Sequence, residues 1–262
     1  MTGQGFDVGR ASTWRPWAGA PENYELSIAA LVANGTMNAD IAGTLWAAVD
    51  EQLSFLTVAV PRNAGKTTVG SAMLALRQPD TALHFALGEA EELERLAEAR
   101  LGGYLVIGEF SPAGMPSYIW DEAVRRVFET VRHGYSLQTS LHAPGVEPAI
   151  RVITGENQVS DADASLLKLV VYIEVSTTAR GETIRRVSEV FELDHVRHGA
   201  PVGRTLFRWR PETDRFEKVA EPQQFGADRT VLQRRRDAIE ELAVSGRTSI
   251  QDVAAMASSV LR

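Results

Sequence analysis

The chain has no cysteine among its 262 residues, which excludes disulfides, thiolate metal sites and cysteine nucleophiles. It has no apolar run near the ~20 residues that a membrane-spanning helix needs. Its start, MTGQGFDVGR, carries neither the basic opening nor the hydrophobic stretch of a signal peptide. The expectation is a cytoplasmic protein that meets a membrane only through a partner. Positive charge is also scarce: a net charge of -7 gives no general reason to expect nucleic acid as a partner. No internal repeat or low-complexity tract stands out. The hydrophobic share of 44% and charged share of 23% are ordinary for a globular protein. The length suits one large α/β domain with small appendages, or two small domains.

What is present is organised around Leu53 to Met73, LSFLTVAVPRNAGKTTVGSAM. Ser54 to Val60 is a short apolar run, Pro61 and Asn63 break it, and Thr67 onward has Ala, Met and Leu at helical spacing. Between them, Ala64-Gly65-Lys66-Thr67-Thr68 is the second half of the signature G-x-x-x-x-G-K-[ST]. In such a loop backbone N–H groups wrap phosphates, the lysine reaches the β- and γ-phosphates and the hydroxyl holds Mg²⁺. Asn63, Ala64, Gly65, Lys66, Thr67 and Thr68 are therefore the candidate ATP-binding residues, with Thr67 toward Mg²⁺. Val60 stands where the first glycine belongs, and a β-branched residue resists positive φ there. Three readings stay open: a working phosphate site, a loop that keeps its shape without turnover, and a coincidental Gly-Lys-Thr turn.

The rest of the pattern alternates strand and helix. Residues 1–24, with Trp14 and Trp17, read as an extended lead. Tyr24 to Val32 is a helix, and Asn38 or Asp40 caps the next one, which feeds the strand of the loop. Strands are expected at Thr81 to Leu87, Tyr104 to Ile107 and Ser136 to Leu141. Helices are expected at Glu89 to Arg100, Tyr118 to Arg132, Glu147 to Ile153 and from Ser160 to near Lys168. The loop Ser111 to Pro116 and the connector Gly226 to Thr230 carry no regular pattern. Leu169 to Val175 and Thr183 to Leu193 form an antiparallel hairpin across the turn Thr177 to Glu182. Thr205 to Arg210 is a short strand, and helices at about Val231 to Val244 and Ile250 to Leu261 close the chain. The alternation predicts a mainly parallel sheet covered on both faces, with ligands at the carboxyl ends of its strands.

Glu109 follows the apolar run YLVIG and stands where a carboxylate would hold Mg²⁺ or orient water; the plainer reading is a cap on the turn before Ser111. His142 follows SLQTSL and is able to donate to a γ-phosphate, or to serve as an ordinary structural hydrogen-bonding group. Glu89, Glu91 and Glu92 offer a general base for water, or simply an acidic first helical turn. Arg185, Arg186 and Arg151 meet phosphate or a neighbour's acidic face in one reading and line a solvated surface in the other. Arg234-Arg235-Arg236 reads as a charged helix face.

Taken in order, these pieces resemble the secretion ATPase superfamily, the hexameric motors of type II and type IV secretion, type IV pilus and archaeal flagellum machines. PRNAGKTT is similar to its Walker A loop, FALGEAEEL to its acidic box, YLVIGEF to its Walker B strand and SLHAPGVEPAIRVI to its histidine box. The likeness runs through ETIRRVSEVFEL and TLFRWRPETDRF over roughly residues 25 to 260, and looks closest to the tight-adherence, archaeal-like branch. It implies a RecA-like P-loop NTPase core over 25–200, and a C-terminal strand and two-helix appendage over 201–262. It also implies ATP and Mg²⁺, with Glu109, Glu89 and His142 as the catalytic set and Thr67 and Glu109 at the metal. As partners it implies a homo-oligomeric ring, or a mixed ring with a paralogue, and an inner-membrane platform protein. Departures are Val60, Gly88 where the acidic box has its catalytic glutamate, Phe110-Ser111 after Gly-Glu, and no counterpart of the family's amino-terminal domain. They leave room for an alternative, a catalytically weak paralogue acting as an interaction subunit, and for a less favoured small-molecule kinase.

Overall fold

The computed structural model describes residues 26–60, 62–115, 117–177, 181–226 and 228–260. The expected lead with Trp14 and Trp17, the break at Pro61, Pro116 and the middle of the Thr177 to Glu182 turn lie outside these. So do Ala227 of the connector and Leu261.

The first helices begin where polar caps permit. Ser27 accepts from Ala30 N at the start of α1 (Ile28–Ala33), and Asn38 accepts from Ile41 N at the start of α2 (Ala39–Asp50). Strand β1 (Phe55–Ala59) is buried at every position. Its alternate side chains serve two cores: Phe55 and Ala59 on one face, Leu56 and Val58 on the other. That is why it reads as an unbroken apolar run. Helix α3 (Lys66–Leu74), β2 (Leu83–Ala86), α4 (Ala90–Ala99) and β3 (Tyr104–Ile107) follow. Next come two short strands, β4 (Glu109–Phe110) and β5 (Tyr118–Ile119), then α5 (Glu122–Val131) and β6 (Ser136–His142). Helix α6 (Val146–Arg151) runs into a π-helical turn (Val152–Glu156), and α7 (Asp161–Ala164) leads to β7 (Leu169–Thr177).

The central strands lie in the order β7-β1-β6-β3-β2, all parallel. This is a RecA-like arrangement, in which the strand entering the phosphate loop is separated by one strand from the strand that leads to the acid. Antiparallel β8 (Thr183–Arg197), β9 (Ala200–Arg210) and β10 (Arg215–Lys218) extend the same sheet beyond β7. The point expected to divide core from appendage, residue 200, falls at the hairpin joining β8 to β9. Helices α8 (Arg229–Ser245) and α9 (Ile250–Val260) contribute Ile239, Leu242, Val253 and Ala257 to the core that holds α1, α2 and α3. The opposite face is closed by residues of α4, α5, α6 and α7, among them Leu93, Val127, Phe128, Ile150 and Ala164.

Several local expectations are corrected. The helix expected from Tyr118 starts only at Glu122. Ser117 and Asp121 both hold positive φ, and Tyr118-Ile119 pairs with Glu109-Phe110 instead. Ser160 does cap α7, but the helix is a single turn, because Lys168 N and Leu169 N donate to Ser54 O and draw the chain into the sheet. The strand expected from Thr205 begins at Ala200 and is followed by β10. Arg235 is not on a solvated face. It is 6% exposed, pairs with Asp50 and stands 5.4 Å above the Trp46 ring. Its neighbour Arg236 binds Asp40, Asp237 and Glu240 nearer the surface.

Candidate functional site

The parallel register brings three chemistry-bearing residues to one sheet edge. Ala59, the last residue of β1, pairs with His142, and Leu141 pairs with Phe110 on β4. The carboxyl ends of these strands therefore stop together, beside the loop that enters α3. In that loop Asn63 (φ 61) and Gly65 (φ 99) take the left-handed turn. Val60 is absent from the positive-φ residues and is 52% exposed. The strain expected of a valine at that position does not arise, since the turn is made further along. Val60→Gly is accordingly expected to change ATP affinity less than about threefold, because Gly at a position that does not need positive φ adds only unfolded-state freedom. Isothermal titration of both proteins checks this, and a gain of activity in the variant would count against it.

Lys66 is buried, with its ammonium 3.2 Å from Glu109 Oε2 and 3.1 Å from His142 Nε2. Burial holds the Lys66 ammonium below the usual lysine range, with Glu109 working against that shift and Arg62 adding to it. His142 Nδ1 lies 2.9 Å from Val60 O. When Nδ1 carries the proton it donates to that carbonyl and leaves Nε2 to accept from Lys66. Glu109 is 4% exposed, and its Oε1 is buried without a hydrogen-bond partner, although His142 Nε2 is 3.1 Å away. The buried carboxylate oxygen of Glu109, with a free lone pair, and the half-buried Thr67, which follows Lys66 in α3, offer oxygen donors of the hard kind that Mg²⁺ takes. Glu109 and Thr67 therefore fit the ion, and the lysine and loop fit the phosphates.

The Glu109 backbone is held as firmly as its side chain. Glu109 N donates to Ser117 O at 3.2 Å. A Cβ on Gly108 would come within 2.4 Å of Ser117 Oγ, so only glycine lets the two segments approach this closely.

The acidic segment behaves differently. Glu89 is the exposed N-cap residue of α4 and shares no hydrogen bond or ion pair with Lys66, Glu109 or His142 among the described residues. Glu92 turns back to accept from Leu87 N and Gly88 N, closing the end of β2. Gly88 has φ +86, and a Cβ there would meet Ile119 Cγ2 at 2.4 Å. The missing acidic-box side chain thus coincides with a backbone and packing that suit glycine. Of the arginines weighed for phosphate or for a solvated surface, Arg185 is the one that comes to the loop: it donates from Nε to Asn63 O at 3.2 Å, whereas Arg186 is tied to Asp214 and Arg151 to Glu147. Only the pairing of the hairpin, Arg185 opposite Val175, carries it there.

No protein-family model matches the chain. It is similar to the uncharacterized protein MJ0900 of Methanocaldococcus jannaschii, with 23% identity over 216 residues, 72% of this chain and 38% of that protein. The chain thus spans about two fifths of the length of the curated relative. Among solved structures it is similar to the VirB11 ATPase of the Brucella suis type IV secretion system in complex with sulphate. That likeness has 18% identity, covers 63% of this chain and 54% of that one, and has a TM-score of 0.42. It is also similar to the ATPase DotB of Legionella pneumophila, at 13% identity, 53% and 45% coverage and a TM-score of 0.41. For DotB of Yersinia pseudotuberculosis the values are 13%, 80%, 58% and 0.39. These likenesses are distant.

Proposed function

We propose that the chain binds ATP with Mg²⁺ at the end of β1 and hydrolyses it as a motor-type subunit resembling those of type II and type IV secretion or pilus machines. The carrying observation is the convergence of the Lys66 ammonium, the Glu109 carboxylate and the His142 ring. The secretion assignment rests on the order of sequence motifs. In the working site Lys66 turns from Glu109 toward the β- and γ-phosphates, and the loop N–H groups bind phosphate oxygens. Glu109 and Thr67 would hold Mg²⁺, which supplies charge neutralisation at those phosphates. Glu109, released from Lys66, orients the attacking water, and His142, fixed through Val60 O, faces the transferred group.

Assembly into a homo-oligomeric ring, or a mixed ring with a paralogue, docked on an inner-membrane platform protein, belongs to the same proposal. No helix among the described residues is long and apolar enough to cross a membrane. The test is titration of the purified chain with Mg·ATP together with phosphate release, repeated on Lys66→Ala. The wild type is expected to bind and release phosphate, and the variant to lose affinity by at least about tenfold, the scale of one charge-assisted contact. A wild type that does not bind ATP overturns the proposal, and one that binds without releasing phosphate overturns its hydrolytic half.

A further inference from the structure

Arg185 sits at the phosphate loop in a way that bracing the loop does not use up. Strand β7 runs parallel to β1 with Tyr172 beside Val58, so the residues beyond Tyr172 rise past the end of β1 to the level of the loop. The hairpin then returns as β8, and Arg185, opposite Val175, lies beside the loop. Its stem crosses Gly65: a Cβ built there would be 3.5 Å from Arg185 Cδ. Its Nε is engaged with Asn63 O. Neither terminal nitrogen makes a hydrogen bond, and no carboxylate lies within ion-pair distance, among the described residues. Four other arginines of the same outer sheet differ. Arg186 is tied to Asp214, Arg204 to Glu192 and Asp194, Arg208 to Glu189, and Arg210 to Glu217. Arg185 is thus a cation held against the loop through one nitrogen, with the two best suited to a phosphate unused.

The site also needs such a group. Lys66 is shared with Glu109, so a triphosphate entering there meets a buried cation whose charge is already countered by a carboxylate, with the exposed Arg62 of the loop as a further charge near it. A guanidinium presents a planar fork that matches two phosphate oxygens, and its terminal nitrogens are free to do so while Nε keeps Asn63 O.

We propose that Arg185, on β8 of the same chain, is a second phosphate-binding residue for the polyphosphate held by Lys66. This rests on the ATP-binding reading above. The test is titration of wild type, Arg185→Gln and Arg185→Lys with Mg·ATP, Mg·ADP and AMP, with thermal melting of each protein. Arg185→Gln is expected to weaken Mg·ATP by about tenfold to a hundredfold, Mg·ADP by less and AMP not at all, at an unchanged melting temperature. Arg185→Lys, which keeps the charge but loses the fork and the bond to Asn63, should recover part of that loss. If Arg185→Gln does not fold, the lysine variant alone must still weaken Mg·ATP more than AMP. Equal losses for all three nucleotides would make Arg185 only a brace of the loop and overturn the inference. So would unchanged affinities, including the case where the variant merely self-associates less because the arginine meets an acidic face of another copy. Those outcomes leave ATP binding by the wild type intact; a wild type that binds no nucleotide overturns the phosphate site itself and Arg185's role with it.

Discussion

Glu109→Gln is expected to hold Mg·ATP about as well as the wild type or better, and to release phosphate about 100-fold to 1,000-fold more slowly. The two halves have separate causes. In the free protein the carboxylate grips Lys66 at 3.2 Å inside a site that excludes water from both groups. A nucleotide must break that pair before the lysine can serve its phosphates, and it brings further negative charge toward Glu109. The amide removes the competitor and the repulsion without changing shape, so binding does not suffer. The same change removes the negative oxygen that, in the proposed site, would orient water and hold the metal, and neither acid expected from the acidic box replaces it. Glu89 is exposed on α4, and Glu92 is spent on the backbone of Leu87 and Gly88. Single-turnover phosphate release beside equilibrium binding separates the two effects. Undiminished release in the variant would place the water-orienting group elsewhere.

Arg235→Ala should lower the unfolding free energy by about 3–5 kcal/mol, the usual cost of stranding one partner of a buried ion pair. Arg235 joins α8 to α2 through Asp50 and covers the Trp46 ring, with side-chain exposures of 7% for the arginine and 13% for the aspartate. Without it, Asp50 keeps Gln78 alone of these two partners and remains largely out of water. Asp50 is also close enough to Tyr104 to add to the raised pKa that burial gives that phenol. Urea unfolding of Arg235→Ala, Asp50→Asn and the double variant measures this. The double variant should lose less than the sum of the singles, since it strands no charge. A loss under about 1 kcal/mol for Arg235→Ala, the range of exposed pairs, would show that the pair is solvated.

Much of the architecture could be read in advance because it is enforced by burial on both faces. Strands such as β1 and β7 carry continuous apolar runs, and Gly-Lys-Thr after such a run leaves few local structures open. The order of loop, Glu109 and His142 was legible because each follows a segment that reads as a strand, apolar in β1 and β3 and half polar in β6. What escaped depends on contacts far apart in sequence. Tyr118-Ile119 looks helical beside Glu122 to Val131 until pairing with Glu109-Phe110 is available. Three consecutive arginines look like a wet surface until Asp50, 185 residues away, takes the middle one. Arg185 and Arg186 look alike in the sequence, each open to a phosphate or a surface reading, because only the register of the hairpin, bent by an irregularity between Tyr172 and Ile173, decides which of them comes to the loop. For Val60 the sequence shows the residue but not the place of the turn, which Asn63 and Gly65 make instead.

The last two helices carry a consequence for how the protein is made. Ser27 Oγ, at the cap of the first described helix, donates to Thr248 O at 2.7 Å across 221 positions of sequence, and Ile239, Leu242 and Val253 complete the core that backs the phosphate-loop helix. A ribosome that has just finished the loop, or even β7, has exposed a nascent α1–α2 surface whose cover is still unsynthesised. Contacts this distant form late and slowly. The core behind α3 is therefore completed only after α8 and α9 have been made, which leaves Trp46 and its neighbours for chaperones to shield until α8 arrives.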